Sequence, residues 1–148
     1  MARIVKAPAQ LRLTMPEPEE YDLHKQIGDC LRKEIGAPGR RRNGVLWYAV
    51  DHSNSAYKNP GIRIALGIID GIPDLTFLWR ARVYFQEIKR PRLGVLSEAQ
   101  QAFLVEARMC GAEVAICEDA ESCLANLDVW QIPRRHILHF QTTKAPPP

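Results

Sequence analysis

At 148 residues, 46% apolar and 25% charged, the chain has the length and composition of one globular domain able to bury a core, which excludes disorder as its main state. The formal charge of only +3 excludes a histone-like excess of base. Charge is clustered, however. Basic residues gather at Arg40-Arg41-Arg42, Lys89-Arg90-Pro91-Arg92 and Arg134-Arg135, and acidic ones near 17–22 and 113–121, a pattern that permits a polyanion partner without demanding one.

The four cysteines (Cys30, Cys110, Cys117, Cys123) show no C-x-x-C spacing, and three fall in apolar periodic segments, as reduced core residues of a cytoplasmic protein do. No segment approaches the roughly 18 consecutive apolar residues of a membrane span. The Met1-Ala2-Arg3 start leads into no apolar secretory region, so neither membrane nor signal peptide is expected. No internal repeat and no glycine-rich nucleotide motif is found, so no nucleotide cofactor is expected.

Residues 1–16 alternate loosely before Pro16 and Pro18 and read as a flexible arm; one domain is expected over 17–140, and a disordered tail over 141–148. A first helix should begin near Pro18, with Glu17, Glu19 and Glu20 at its positive end, and stop at Gly36 before Ala37-Pro38-Gly39. Its apolar stripe is Leu23, Ile27, Cys30 or Leu31, and Ile35, and Glu20 and His24 share that inward face. On its own, Glu20 reads as a helix-dipole carboxylate on an exposed first turn. Arg40 to Gly44 is a basic turn, either solvated or in contact with phosphate. Val45 to Val50 reads as a buried strand from its β-branched and aromatic content. Asp51 to Ser55 and Tyr57 to Gly61 read as loops, and Ile62 to Ile69 as a short helix with Ile62, Ala65, Leu66 and Ile69 on one face.

Two β-prone runs follow, Asp74 to Trp79 and Arg82 to Lys89, joined only by Arg80-Ala81, and they predict an antiparallel hairpin. Alternation puts Val83, Phe85, Glu87 and Lys89 on one face, and Tyr84, Gln86 and Ile88 on the other. The hairpin also brings Asp74, at the start of the first strand, close to Glu87. Two carboxylates and a lysine at one end of an apolar sheet are expensive unless a cation neutralises them, and their hard oxygen donors suit Mg²⁺ or Mn²⁺. Standing alone, Glu87 and Lys89 would read as a surface ion pair. Beyond the loop at Arg90 to Gly94, Ser97-Glu98-Ala99-Gln100 is a capping box opening a helix that runs to Cys110, with Phe103, Leu104 and Ala107 inward and Gly111 closing it. That cap accounts fully for Gln100, and one amide is not expected to serve a second site at the same time. A strand at Val114 to Cys117, parallel to the hairpin's second strand, and a helix capped by Asp119 and carrying Leu124, Leu127 and Trp130 complete the domain. His136-x-x-His139 would need partners from elsewhere to bind zinc.

Gly71-Ile72-Pro73-Asp74, Glu87-Ile88-Lys89 and Ser97-x-x-Gln100, in this order over 20–130, resemble the VRR-NUC family of the PD-(D/E)xK nuclease superfamily. The resemblance implies a restriction-endonuclease-like αβββαβ core, an α/β fold with a central mixed sheet flanked by helices, and metal-dependent hydrolysis of a DNA phosphodiester. It implies Asp74, Glu87, Lys89 and Gln100 as catalytic residues, and Asp74, Glu87 and the main-chain carbonyl of Ile88 as ligands of Mg²⁺ or Mn²⁺. A glutamate stands four residues before a histidine in the family's first helix, and Glu20-x-x-x-His24 matches it, implying Glu20 as an accessory ligand. The family's His-x-Asn stretch ahead of G-x-P-D is similar to His52-Ser53-Asn54. With these, His24, Lys58, Arg63, Arg90 and Arg92 are the expected nucleic-acid contacts.

The expected protein is therefore a bacterial or phage-encoded nuclease acting on branched, junction or duplex DNA. It would read shape rather than sequence, as a homodimer with spare apolar surface at Trp79, Trp130 and Ile137 to Phe140. Two other readings use the same residues: a non-catalytic nucleic-acid-binding module on the same fold, and a structural assembly protein.

Overall fold

The computed structural model of the chain describes residues 19–50 and 58–135. The expected arm, His52, Asn54, the His136-x-x-His139 pair, the Ile137 to Phe140 segment and the tail lie outside the described residues.

Helix α1 spans Glu20–Glu34, two residues short of the expected end at Gly36, because Ile35 already caps it with its N–H on the Leu31 carbonyl. Leu23, Ile27, Leu31 and Ile35 form its buried stripe, while Cys30 is only half-buried. The edge strand β1 covers Leu46–Ala49. It was expected to be buried throughout, but only Trp47 is: Tyr48 and Ala49 lie on opposite faces at the edge of the sheet, and both are exposed. Trp47 donates its indole N–H to the Gly36 carbonyl at 2.8 Å and so ties the loop after α1 to the sheet.

Helix α2 spans Pro60–Ala65, earlier than the expected 62–69. Asn59 caps it, accepting from the N–H groups of Gly61 and Ile62, and Pro60 takes the first helical position, where its missing N–H costs nothing. The expected loop at 58–61 is thus partly helix. None of its residues is buried, and Ile62, Ile64, Leu66 and Ile69 are exposed, so its apolar spacing marks no core face.

Strands β2 (Leu75–Trp79) and β3 (Arg82–Ile88) form the expected hairpin, in the register Leu75–Gln86 through Trp79–Arg82. Its two-residue turn places Arg80 and Ala81 at φ 50° and 58°, left-handed values that Asn and Gly usually supply. The Arg80 guanidinium lies over the Trp79 ring at 4.4 Å. Helix α3 (Glu98–Met109) then leads to β4 (Glu113–Cys117), which pairs parallel to β3, and α4 (Ala120–Val129) closes the described chain. Asp119 caps α4, and the Ser122 N–H on its carboxylate holds that group below the usual carboxylate range.

The result is a mixed α/β fold: a sheet in the order β1-β2-β3-β4, antiparallel except for β3–β4, flanked by helices. On one face α1 and α4 cover Phe77, Tyr84 and Ile88. On the other, Phe85 meets Phe103 of α3 edge-on at 5.3 Å. The hairpin alternation read from sequence is therefore the one that sorts the two faces. Trp79 and Trp130, expected as spare surface, flank Tyr84 at 6.4 and 5.2 Å and pack against the core. Arg134 straps the chain after α4 to two carboxylates, donating to Asp128 at 2.7 and 2.8 Å and to buried Glu34 at 3.0 Å, and both hold its guanidinium all the more firmly charged. All four cysteines are free, with Cys117 and Cys123 buried and Cys110 exposed. No helix among the described residues is long and apolar enough to cross a membrane.

Candidate active site

Three backbone elements deliver the polar cluster. Pro73 holds the approach to β2 extended, so Asp74 stands one step beyond the Leu75–Gln86 pair, at the level of Glu87 on β3. The Val50 N–H donates to the Asp74 carbonyl at 2.9 Å, continuing the β1–β2 ladder to this point. Both carboxylates are buried, Asp74 at 6% and Glu87 at 1% exposure. Asp74 accepts from the Ile88 N–H through Oδ2 at 2.8 Å. In extended backbone the N–H and C=O of one residue leave the strand on the same side, so the Ile88 carbonyl also faces Asp74.

Glu87 is held from two directions. Lys89, two residues on and on the same face, puts Nζ 2.9 Å from Glu87 Oε1. Gln100, on the first turn of α3, donates its amide N–H to the same oxygen. The other end of that amide accepts from the Ser97 N–H at 2.9 Å, while Ser97 Oγ accepts from the Gln100 N–H at 3.2 Å. The expectation that one amide could not both cap and reach the site is therefore wrong. An amide has separate donor and acceptor ends, and here the carbonyl caps while the NH₂ reaches Glu87.

Gly71 makes that reach possible. At φ +85° it lies so close to α3 that a Cβ there would sit 2.3 Å from the Ala99 carbonyl oxygen and 2.7 Å from the Gln100 nitrogen. The sequence pointed to a glycine needed near Asp74, but its real neighbour, 28 positions along the chain, was not legible. Gly94 was missed altogether. A Cβ there would meet the Lys89 Cβ at 2.7 Å and the Arg90 backbone at 2.8 Å, so the Arg90–Gly94 turn folds directly onto Lys89. The only local signal is the Pro91-x-x-Gly94 spacing.

The remaining expected residues divide. His24 comes within 4.0 Å of Asp74 Oδ1 and 3.9 Å of Glu20 Oε1, both through Nε2. The Glu20 side chain is 68% exposed on the first turn of α1, as its reading as a helix-dipole carboxylate expected, at the solvent end of the face it shares with His24, because water solvates a lone carboxylate more cheaply than the protein interior does. Glu20 reaches the cluster through His24; among the described residues no three His, Cys, Asp or Glu side chains form a complete metal-binding group. Arg63 pairs with Asp70 and shares a small cleft with Lys58 beside α2. Arg90 is half-buried and Arg92 exposed on the turn that covers Lys89.

The donor set fits a hard divalent ion of modest demands. Mg²⁺ is usually held by one or two carboxylates with waters completing an octahedron, and Asp74, Glu87 and the Ile88 carbonyl present oxygen donors at one end of the sheet. Searches among protein-family models, curated proteins and solved structures found no match to this chain.

Proposed function

We propose that the chain is a metal-dependent DNA endonuclease of the VRR-NUC type on a restriction-endonuclease-like fold, hydrolysing phosphodiesters in branched or duplex DNA. The observation that carries this reading is the meeting of Asp74, Glu87, Lys89 and Gln100 from three separate elements at one buried end of the sheet. An incidental surface ion pair needs neither a buried carboxylate beside it nor a helix cap turned towards it.

Asp74, Glu87 and the Ile88 carbonyl would hold Mg²⁺ or Mn²⁺, with Glu20 near enough, through His24, to serve an outer role. When bound, the ion supplies positive charge at the phosphate oxygens and a more acidic water. The residues of the chain do the rest. The Ile88 N–H fixes one Asp74 oxygen. Gln100 and Lys89 fix the orientation of Glu87. Lys89 carries an ammonium beside the place where phosphate charge develops, so it positions and stabilises the reacting group electrostatically. Sequence specificity is not expected of so small a domain; backbone contacts through Arg90, Arg92 and the Arg40-Arg41-Arg42 turn would read DNA shape.

The test is incubation with labelled single-stranded, duplex, flap and four-way-junction DNAs in Mg²⁺, in Mn²⁺ and in chelator. Incision of at least one structure with either ion, and none in chelator, is expected. Binding without incision on the whole panel would replace this reading with a non-catalytic nucleic-acid-binding module.

A further inference from the structure

The chain leaving β3 turns sharply at the edge of the candidate active site. Two main-chain hydrogen bonds close this turn: the Leu93 N–H donates to the Pro91 carbonyl at 2.7 Å, and the Gly94 N–H to the Arg90 carbonyl at 2.9 Å. Because Gly94 lies directly against Lys89, the turn is held in place beside the residue that contacts Glu87. Its tip is apolar and stands in water. Leu93 is 62% exposed and Val95 81%, and neither belongs to the core.

A single exposed apolar side chain is ordinary on a protein surface. Here the pair interleaves with base, in the order Arg90-Pro91-Arg92-Leu93-Gly94-Val95. Among the described residues neither Arg90 nor Arg92 has a carboxylate partner, whereas Lys25, Arg32, Arg63 and Arg134 each have one. Arg90 also keeps an Nε–H that the fold leaves without an acceptor. Arg92 is held at φ 62°, a left-handed backbone that glycine or asparagine adopts more cheaply. Strain of this kind collects at ligand clamps and active sites.

From this we infer that the turn from Arg90 to Val95 enters the minor groove of the duplex flanking the scissile phosphate, with Arg90 and Arg92 on its phosphates and Leu93 wedged into a base step. Proteins that enter the minor groove combine arginines with inserted apolar side chains, leucine among them, which partly unstack one step and kink the duplex. The arginines supply affinity that carries no sequence information. The wedge supplies a preference, because pyrimidine–purine steps unstack most easily. Four residues separate Leu93 from Lys89, so their Cα atoms are at most about 14 Å apart. At a rise of about 3.4 Å per base pair, that is about four base pairs. The inference rests on the nuclease reading for its ligand. It leaves the proposed range of DNA structures as it stands and adds a choice among duplex steps.

The experiment is 2-aminopurine fluorescence in chelator, which separates binding from any cleavage. The probe is a blunt duplex with several thymine–adenine steps, 2-aminopurine replacing the adenine of each. Stacking quenches this base, so its emission reports an opened step wherever on the duplex the protein sits. Saturating wild type should raise the emission. Leu93→Ala should still bind the duplex by anisotropy yet lose the rise, and Leu93→Met should keep it. Leu93 is exposed and outside the core, so these variants fold as the wild type does. Arg92→Gln should weaken binding and reduce the slope of log affinity against log salt by about 1.

No binding to the duplex, no rise at saturation, a rise undiminished in Leu93→Ala, or an unchanged salt slope in Arg92→Gln would each overturn the assignment. A rise that depends on Leu93 in a protein that incises no DNA would leave the wedge standing and sink the nuclease reading. Incision without any rise would do the reverse.

Discussion

Gln100 shows how much one side chain carries here. Its amide joins the cap of α3 to the carboxylate of Glu87, so the same residue belongs to the cap and to the polar cluster, and on the proposed reading has a stability role and a site role. The two can be separated. Ser97→Ala removes the hydroxyl acceptor of the cap and should cost about 1 kcal/mol in thermal or denaturant unfolding, with little effect on incision. Gln100→Ala should lower incision by about 10- to 100-fold and raise the Mg²⁺ concentration needed for half-maximal rate, as loss of a residue that orients a ligand does. Equal effects of the two variants on incision would reduce Gln100 to a cap. The Ser97-x-x-Gln100 spacing made the capping box legible in the sequence, because a cap is a local structure. The second partner of the amide was not, because it depends on how a helix docks on a sheet 13 residues away.

At the scale of elements, the hairpin and α3 are coupled by backbone contact at Gly71. Any side chain there collides with the first turn of α3, and its φ of +85° lies in the left-handed region that favours glycine. Gly71→Ala should therefore destabilise the fold by about 1–3 kcal/mol and, at temperatures where it remains folded, withdraw Gln100 from Glu87. Incision should fall well beyond the loss of folded protein, measured by near-ultraviolet circular dichroism alongside the rate. A fall only in proportion to folded protein would contradict that coupling. Most elements were legible because their signals are local: the two-residue link of the hairpin, the apolar stripe of α1, the caps at Ser97 and Asp119. Three features were not. Tyr48 was read as buried because strand composition does not distinguish an edge strand from a central one. The apolar spacing of α2 was read as a packing face, yet that helix exposes it. Periodicity put Glu20 on the inward face while its place on the first turn left it open to water, and the structure has it in water.

At the scale of the whole molecule, the site occupies one end of a sheet held between α1 and α4 on one face and α3 on the other. On the proposed nuclease reading one such site would cut one strand, so paired incision across a junction would need two protomers related by a two-fold axis. The aromatic surface first expected to mediate pairing is partly used up, because Trp79 and Trp130 pack on Tyr84. The apolar residues of α2 remain exposed. We propose a homodimer, and sedimentation at micromolar concentration should give twice the chain mass; a monomer that makes symmetric paired cuts in a four-way junction would contradict it.

The most direct measurement compares wild type with Asp74→Asn and Glu87→Gln on a labelled four-way junction in Mg²⁺. Each substitution keeps the size of the side chain and removes the charge a divalent ion needs. Both variants should bind the junction in chelator as the wild type does and incise it about 100-fold more slowly or worse, while the wild type itself stops in chelator. Incision by either variant at the wild-type rate would show that these two buried carboxylates are not the reacting centre.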